Sequence, residues 1–398
     1  MTQLSSTRKL EDRLCSTSSR QADWICAARS DMADDMAIAT PSRLDHVQAL
    51  RGLAAMLVLF AHLALIEGRT ATNPILPSSL DWGMMGVDLF FVISGFIMVY
   101  VTRDWQAGGG QNRMLGRVPE FLFARATRIY PLYWVVTAAL FAVWLVRPDL
   151  VFSSSPNNPT VINTLFLIPG WAYPLLEVGW TLVYEMMFYV LFALLLFLPR
   201  RFRPLGLLVW AAIALAGNLF SWQSQIPALS VTSTAIAFHL FNPLVFEFLA
   251  GAAVGWLYLT RTGDKTVSLA LILFGLIGMG MWIFSAVPFE DGWPRVLRLT
   301  LPAGALVLGA AWLDHSKVKA PRFAVTLGDW SYSLYLTHLL SLVALSKLWQ
   351  MAGLQDLPSP LLILIMLSGA LIVAGLTYRF IEKPLINLAR SGRKRLFT

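Results

Sequence analysis

The sequence predicts an all-α polytopic membrane protein, a bundle of about ten transmembrane helices with both termini in the cytosol. Of its 398 residues, 57% are hydrophobic and 14% are charged, and the mean hydropathy is +0.62. A soluble protein carries about 25% charged residues. Apolar runs long enough to cross a ~30 Å hydrocarbon core occur repeatedly along the chain. The basic residues lie mainly in the connections between these runs.

The apolar runs define ten predicted spans, and we find no internal repeat among them. The spans are 48–67, 83–102, 124–146, 179–198, 204–221, 235–259, 267–287, 296–313, 327–349 and 360–381. The longest connection, 147–178, is rich in Pro and Asn, which favour turns. It also contains a short apolar piece, Leu165 to Pro169, for which we consider a re-entrant segment.

The basic residues predict the orientation of the bundle. Alternate loops carry clusters of Arg and Lys, whereas the opposite loops hold little more than Arg69, Arg147 and Arg295. Positively charged loops remain on the cytosolic side. The net charge of +8 is therefore explained by topology. We expect the lipid bilayer as a partner and no nucleic acid.

The two ends of the chain are polar. Residues 1–43 are predicted to be a disordered cytosolic leader, or the product of a misassigned start codon, and 387–398 a basic cytosolic tail. Cys15 and Cys26 both lie in the leader. Neither forms a metal-type cluster with histidine, so we expect no metal site and assign them no role.

The first span carries two unusual polar residues, Arg51 and His62. They are eleven residues apart, which is three helical turns and places them roughly 16 Å apart on nearly the same helix face. By residue count, His62, Asp88 and Glu185 lie in one layer of the outer half of the membrane. A carboxylate that orients an imidazole makes a general base. We therefore predict a catalytic unit of His62 with Asp88 or Glu185; the alternative is a buried ion pair that orders the bundle.

A second polar group lies at the cytosolic ends of the spans. Arg51 joins Arg125 and Arg128, which are three residues apart on one helix face, and Arg379 with Glu382 closes the tenth span. Guanidinium groups bind phosphate oxygens in pairs, so this cluster predicts a site for a phosphorylated ligand. The alternative is that topology alone places these arginines.

Further polar and aromatic residues of the spans are substrate-site candidates, namely Ser94, Trp180, Tyr332, Tyr335 and His338. Tyr332, Tyr335 and His338 follow helical spacing and are predicted to line one cavity, although His338 would also suit a packing hydrogen bond. Ser94, followed by Gly95, suits close helix packing better than nucleophilic catalysis. Further polar residues without an assigned role are Glu247, His239 and His315.

Six stretches together resemble the acyltransferase-3 family of bacterial membrane enzymes, and within it the exopolysaccharide and O-antigen acetyltransferase branch. They are RLDHVQALRGLAAMLVLFAH (43–62), GVDLFFVISGFIM (86–98), FLFARATRIYPLYW (121–134), WTLVYEMMFYVLF (180–192), WSYSLYLTH (330–338) and YRFIEKPL (378–385). The resemblance assigns 44–386 to an acyltransferase-3 transmembrane domain.

The resemblance implies site residues and a reaction. It places the family's Arg-x10-His element on Arg51 and His62 and its tryptophan-led acidic motif on Trp180 and Glu185. Many relatives have a second acid after that glutamate, whereas this chain has Met186. Many also carry a fused hydrolase-like domain. We expect this chain to act directly or with a separate polysaccharide-assembly protein.

We therefore expect a multi-pass O-acyltransferase of the bacterial inner membrane. It would move an acyl group, in the simplest case acetyl, from cytosolic acyl-CoA to a hydroxyl of a cell-surface carbohydrate or lipid-linked glycan. Arg51, Arg125 and Arg128 would hold the donor phosphates. His62 would act as general base or carry the acyl group itself. The alternative function is a glycan or lipid transporter or flippase, and a third is a catalytically inactive assembly partner.

Overall fold

A computed structural model describes residues 43–105, 117–147, 160–223, 231–285, 287–316 and 318–397. Within these ranges the chain forms thirteen α-helices and no strand. In chain order they are α1 Asp45–Thr70, α2 Met85–Val101, α3 Arg117–Val146, α4 Val161–Phe166, α5 Trp180–Leu195, α6 Arg203–Gln223, α7 Val231–Phe241, α8 Val245–Thr260, α9 Lys265–Ile283, α10 Trp293–Leu313, α11 Arg322–Met351, α12 Ser359–Thr377 and α13 Lys383–Phe397. The predicted leader, with Cys15 and Cys26, lies almost wholly outside the described residues.

The predicted all-α membrane fold is confirmed. Eight of the described helices are long and apolar enough to cross a membrane, and α7 and α8 would make a ninth span if the two are counted together across their bend of 41°. The bend falls at Asn242 and Pro243, where the proline ring removes a backbone donor. Helix α11 has 30 residues, which is long enough to cross a membrane. It is not among the eight, because the polar stretch from Asp329 to His338 lowers its mean hydropathy.

Helices α1 and α11 pack side by side in a constant register. A Cβ atom on Gly52 would lie 2.8 Å from the backbone nitrogen of Gly328, so the two backbones touch at this point. Ten residues further along both helices, His62 meets His338, with 3.4 Å between ring nitrogens. Eight residues beyond that pair, Thr70 Oγ1 lies 2.6 Å from Ser346 Oγ. The two helices are therefore parallel, and their packing brings the two histidines together.

Helices α2 and α8 also touch through glycine. A Cβ on Gly95 would lie 2.0 Å from the carbonyl oxygen of Phe248, and one on Gly251 would lie 2.0 Å from that of Val92. Any side chain at either position would force the helices apart. The close helix approach expected at Gly95 is thus present, and the role of Ser94 beside it stays a prediction.

The short apolar piece of the long loop adjoins helix α4, which is too short to cross a membrane. Its last turn is fastened to α3, because Tyr130, Tyr133 and Trp134 donate hydrogen bonds of 2.7 to 2.8 Å to three consecutive carbonyl groups of residues 164–166. Leu167 follows in the left-handed region, with φ 52°. The aromatic residues of α3 thus hold α4 against that helix.

Candidate active site

A cavity of about 310 Å³ lies among α1, α2, α3, α5, α11 and α13; we call it the first cavity. Its lining includes seven residues that the sequence selects as site candidates. They are Arg51, Ser94, Arg125, Arg128, Glu185, Tyr332 and Tyr335. The bundle therefore brings the predicted arginines, one predicted acid and two predicted tyrosines into one space.

The three deep arginines of this cavity have different surroundings. Arg128 Nη1 donates to Glu382 Oε1 at 2.5 Å, and the other oxygen of Glu382 accepts from Ser333 Oγ at 2.5 Å. Arg125 Nε is buried and has no hydrogen-bond partner among the described residues. Arg51 lies within electrostatic range of Arg128 and Glu185. The guanidinium of Arg125 instead lies over the rings of Phe121 and Tyr189, 5.8 and 5.9 Å from their centroids.

Glu185 faces the same cavity. Its Oε1 atom accepts hydrogen bonds from Ser94 Oγ, at 3.2 Å, and from the hydroxyl of Tyr189 one turn further along α5. The hydroxyl proton of Ser94 is committed to this carboxylate. Glu185, Ser94 and Tyr189 therefore form one acidic cluster opposite Arg51.

His62 and His338 form a second group, whose hydrogen bonds determine their tautomers. His62 Nδ1 lies 2.9 Å from the carbonyl oxygen of Val58. His338 Nδ1 lies 2.8 Å from that of Tyr335. Carbonyl oxygens only accept, so both Nδ1 atoms carry the proton and both Nε2 atoms are acceptors. The same Nδ1–H of His62 also points to Nε2 of His338 at 3.4 Å, as the longer branch of a three-centre hydrogen bond. The Nε2 atom of His62 is an acceptor without a hydrogen-bond partner among the described residues.

Asp88 has a different partner from the one predicted. It is fully buried and accepts two hydrogen bonds, of 2.8 and 2.9 Å, from Nε and Nη2 of Arg295. Glu185 is likewise held by Ser94 and Tyr189. The predicted pairing of His62 with Asp88 or Glu185 is therefore wrong. The side chain that orients His62 is His338.

Tyr335 connects the histidine pair with the first cavity. It lines the cavity, and its ring centroid lies 5.9 Å from that of His338 and 5.8 Å from that of Phe90. Its hydroxyl lies 2.7 Å from Thr181 Oγ1. His338 itself is buried behind Tyr335, so the prediction that it lines one cavity with Tyr332 and Tyr335 is wrong.

A second cavity, of about 870 Å³, lies on the other side of α5. Trp180 and Tyr184 face it, whereas Thr181 and Glu185 of the same helix face the first cavity. The second cavity is lined by aromatic and polar side chains. They include Trp171, Tyr173, Trp180, Tyr184, Asn163, His239, Asn242, Asp291 and Arg295. Trp180, a predicted substrate residue, thus belongs to this space.

Other polar residues of the spans have structural partners or none. His315 accepts from or donates to the hydroxyl of Tyr258 at 2.6 Å. Glu247 is fully buried, and neither of its carboxylate oxygens has a hydrogen-bond partner among the described residues. In the part of the chain that the structure describes, no three His, Cys, Asp or Glu residues are grouped as metal ligands.

Sequence reasoning missed the contribution of α13 and of Glu177. Ile386, Ala389, Arg390 and Arg393 line the first cavity. Their spacing of i, i+3, i+4 and i+7 is typical of one helix face, so the sequence could have shown that these residues lie together. Glu177 is the carboxylate whose charge acts on His62, but it begins a three-residue 3-10 helix before α5, which is too short to show a periodic signal.

The fold and the site define a polytopic membrane protein that holds an arginine-lined cavity next to a buried histidine pair. The chain belongs to the acyltransferase-3 family, because the family's model, described as an acyltransferase domain, matches residues 44–379. The resemblance carried by the six motifs is thereby confirmed.

Three relatives are similar over most of the chain. The exopolysaccharide production protein ExoZ of Rhizobium meliloti is 33% identical and covers 78% of this chain and 92% of its own length. The acyltransferase MdmB of Streptomyces mycarofaciens is 27% identical, with 89% and 94% covered. The O-acetyltransferase OatA of Staphylococcus aureus is 24% identical and covers 87% of this chain but only 58% of its own length. The match to the family makes this protein an acyltransferase.

Proposed function

We propose that the protein is an integral membrane O-acyltransferase that moves an acetyl or similar acyl group from cytosolic acyl-CoA to a hydroxyl of a cell-surface carbohydrate or lipid-linked glycan. The family match supports acyl transfer. The names of ExoZ and OatA point to exopolysaccharide and O-acetyl chemistry. The family match argues against the transporter alternative, because the matching family model is described as an acyltransferase domain.

The first cavity suits the donor. It lies where α1 and α3 begin and α13 runs, and the basic residues of these segments favour a cytosolic position in the bacterial inner membrane. Arg125 and Arg51 face the interior of the cavity and would bind phosphate oxygens. Arg128, whose charge is balanced by Glu382 at 2.5 Å, would contribute less. The acyl end of the donor would then reach Tyr335, next to the histidine pair.

The second cavity suits the acceptor. It lies where α2, α5 and α10 begin, which is the outer side in the same orientation. Aromatic rings offer flat apolar surfaces, and a few convergent polar groups fix the orientation of a bound ligand. Trp171, Trp180 and Asn242 supply both. We therefore place the sugar of the acceptor in this cavity and its modification on the outer side.

His62 would then act as the general base. As the acceptor oxygen attacks the thioester carbonyl, its proton passes to His62 Nε2. The new C–O bond forms, the C–S bond breaks, and His62 returns the proton to the thiolate of CoA. The carbonyl oxygen of Val58 and, more weakly, Nε2 of His338 keep the His62 proton on Nδ1 throughout. Asp88 has a structural role in this proposal, since Arg295 occupies both its oxygens.

The observation that carries the proposal is the tautomer of His62, which leaves Nε2 as an acceptor; His62 itself lines neither cavity, and Tyr335 lies between the histidine pair and the arginine-lined cavity. The test uses inverted membrane vesicles from the producing bacterium, supplied with acetyl-labelled CoA. Wild type should release free CoA and transfer label to membrane glycan. His62→Ala should lose both, and His315→Ala, which removes a histidine that lines neither cavity, should lose neither. Full activity of His62→Ala would contradict the role of His62 as general base. A wild type that neither releases CoA nor labels glycan would support the transporter or the inactive assembly partner.

A further inference from the structure

Helix α13 lies at the mouth of the first cavity. The sequence predicts only a basic tail there, but residues 383–397 form a helix whose face of Ile386, Ala389, Arg390 and Arg393 lines the cavity. Arg390 and Arg393 are exposed at this point, whereas Arg51 lies deep inside. The mouth therefore carries two guanidinium groups beyond those that the function already uses.

Two contacts fix α13 in this position. Arg393 Nε lies 3.4 Å from Glu120 Oε1 at the start of α3, and the rings of Phe397 and Phe123 lie with centroids 5.7 Å apart. Arg390 takes part in no ion pair among the described residues. The guanidinium of Arg390 is thus held at the mouth without a carboxylate to balance it.

The interior of the cavity is poorly matched to the full charge of coenzyme A. Three arginines inside, Arg51, Arg125 and Arg128, face Glu185 and Glu382, which leaves a formal charge of +1 from three minus two. Coenzyme A carries a diphosphate and a 3′-phosphate, and a phosphate monoester alone has a charge of about −1.5 to −2 at pH 7. Additional cationic groups are therefore needed to balance the remaining negative charge of the donor phosphates.

The size of the cavity also indicates that part of the donor lies at the mouth. Its volume of about 310 Å³ is at the lower end of the ~300–1,000 Å³ that encloses drug-sized ligands. A pantetheine arm with its acyl group and the adjoining diphosphate fills such a space, and the adenosine with its 3′-phosphate does not fit in addition. The adenosine must lie at the mouth, where its 3′-phosphate is remote from the thioester.

We propose that Arg390 and Arg393 bind the 3′-phosphate of the donor, so that this helix makes the enzyme select coenzyme A over its 3′-dephospho form. The proposal rests on the proposed function in taking acyl-CoA as the donor. Arg393 is positioned by Glu120, and Arg390 supplies the unbalanced charge. Two guanidinium groups can bind one phosphate through parallel charged hydrogen bonds.

The test measures the equilibrium binding of CoA and of 3′-dephospho-CoA to the purified full-length protein by titration calorimetry. Wild type should bind CoA at least tenfold more tightly. Arg390→Ala/Arg393→Ala should weaken CoA binding by about that factor, since a tenfold change corresponds to about 1.4 kcal/mol. The same variant should leave dephospho-CoA binding unchanged. Arg390→Ala alone should show part of the effect without removing the contact to Glu120.

The control is Lys394→Ala/Arg395→Ala, which removes the same charge from exposed positions of α13 that do not line the cavity. Equal weakening by this control, or equal affinity of wild type for the two ligands, overturns the proposal. Acyl transfer is followed separately with acetyl-CoA. A wild type that binds CoA selectively but transfers nothing contradicts the proposed function alone, whereas active variants with unchanged selectivity contradict this inference alone.

Discussion

The contact between His62 and His338 makes a quantitative prediction. A neutral hydrogen bond contributes about 0.5–1.5 kcal/mol net, and each ~1.36 kcal/mol changes a rate tenfold. Loss of the 3.4 Å contact in His338→Leu should therefore lower kcat by about 2- to 13-fold. The length of the contact favours the lower half of that range. His62→Ala, which removes the base itself, should lower kcat by about 10²–10⁴-fold.

The two effects should not multiply. His338 touches His62 and not the ligand cavities, so His338→Leu should cost almost nothing further in a His62→Ala background. His338→Gln offers a matched rescue, because its side-chain oxygen can accept from His62 Nδ1, and it should restore most of kcat. The assay is the rate of CoA release from acetyl-CoA, with thermal unfolding as a check on folding. Multiplicative losses in the double variant, or equal losses in Leu and Gln, would refute the orienting role of His338.

Three further predictions concern packing and binding. Gly95→Ala should lower the free energy of unfolding by about 1–3 kcal/mol through overpacking, because its Cβ would lie 2.0 Å from a carbonyl oxygen. The control is Gly280→Ala, whose Cβ would have no atom within 4 Å and which should leave the free energy of unfolding unchanged. Arg125→Ala should weaken CoA binding with little change in unfolding temperature. Arg128→Ala should lower the unfolding temperature, because its buried carboxylate partner is left unpaired. A lower unfolding temperature in Arg125→Ala than in Arg128→Ala would contradict the surroundings described for the two arginines. Trp171→Ala should reduce acetyl transfer to glycan and leave CoA affinity unchanged; a loss of CoA affinity instead contradicts two separate cavities.

The fold was predictable because each membrane span is encoded locally. An apolar run of about 20 residues is required for a helix to cross the bilayer, and every predicted span coincides with a described helix or bent helix pair. The polar helix α11 was also recognised, although its stretch from Asp329 to His338 is unusual for a membrane span. The depth of a residue follows from its position along such a run, at 1.5 Å per residue.

The partners of the polar residues were less predictable, because they depend on how each helix is rotated and which neighbour it meets. Asp88 is buried in α2, but it faces Arg295 of α10 and not His62. The partner of His62 follows from the contact of Gly52 with Gly328, which sets the register of α1 and α11. Two glycines 276 positions apart give no sign in one sequence that they touch.

The most direct test of the account is the ester-linked acetyl content of surface glycan, measured by mass spectrometry before and after mild alkali. A strain that lacks the gene is complemented with wild type, His62→Ala or His315→Ala, each confirmed at equal level in the membrane. Wild type and His315→Ala should restore the alkali-labile acetyl groups, and His62→Ala should not. Full restoration by His62→Ala would contradict the claim that this imidazole activates the acceptor hydroxyl.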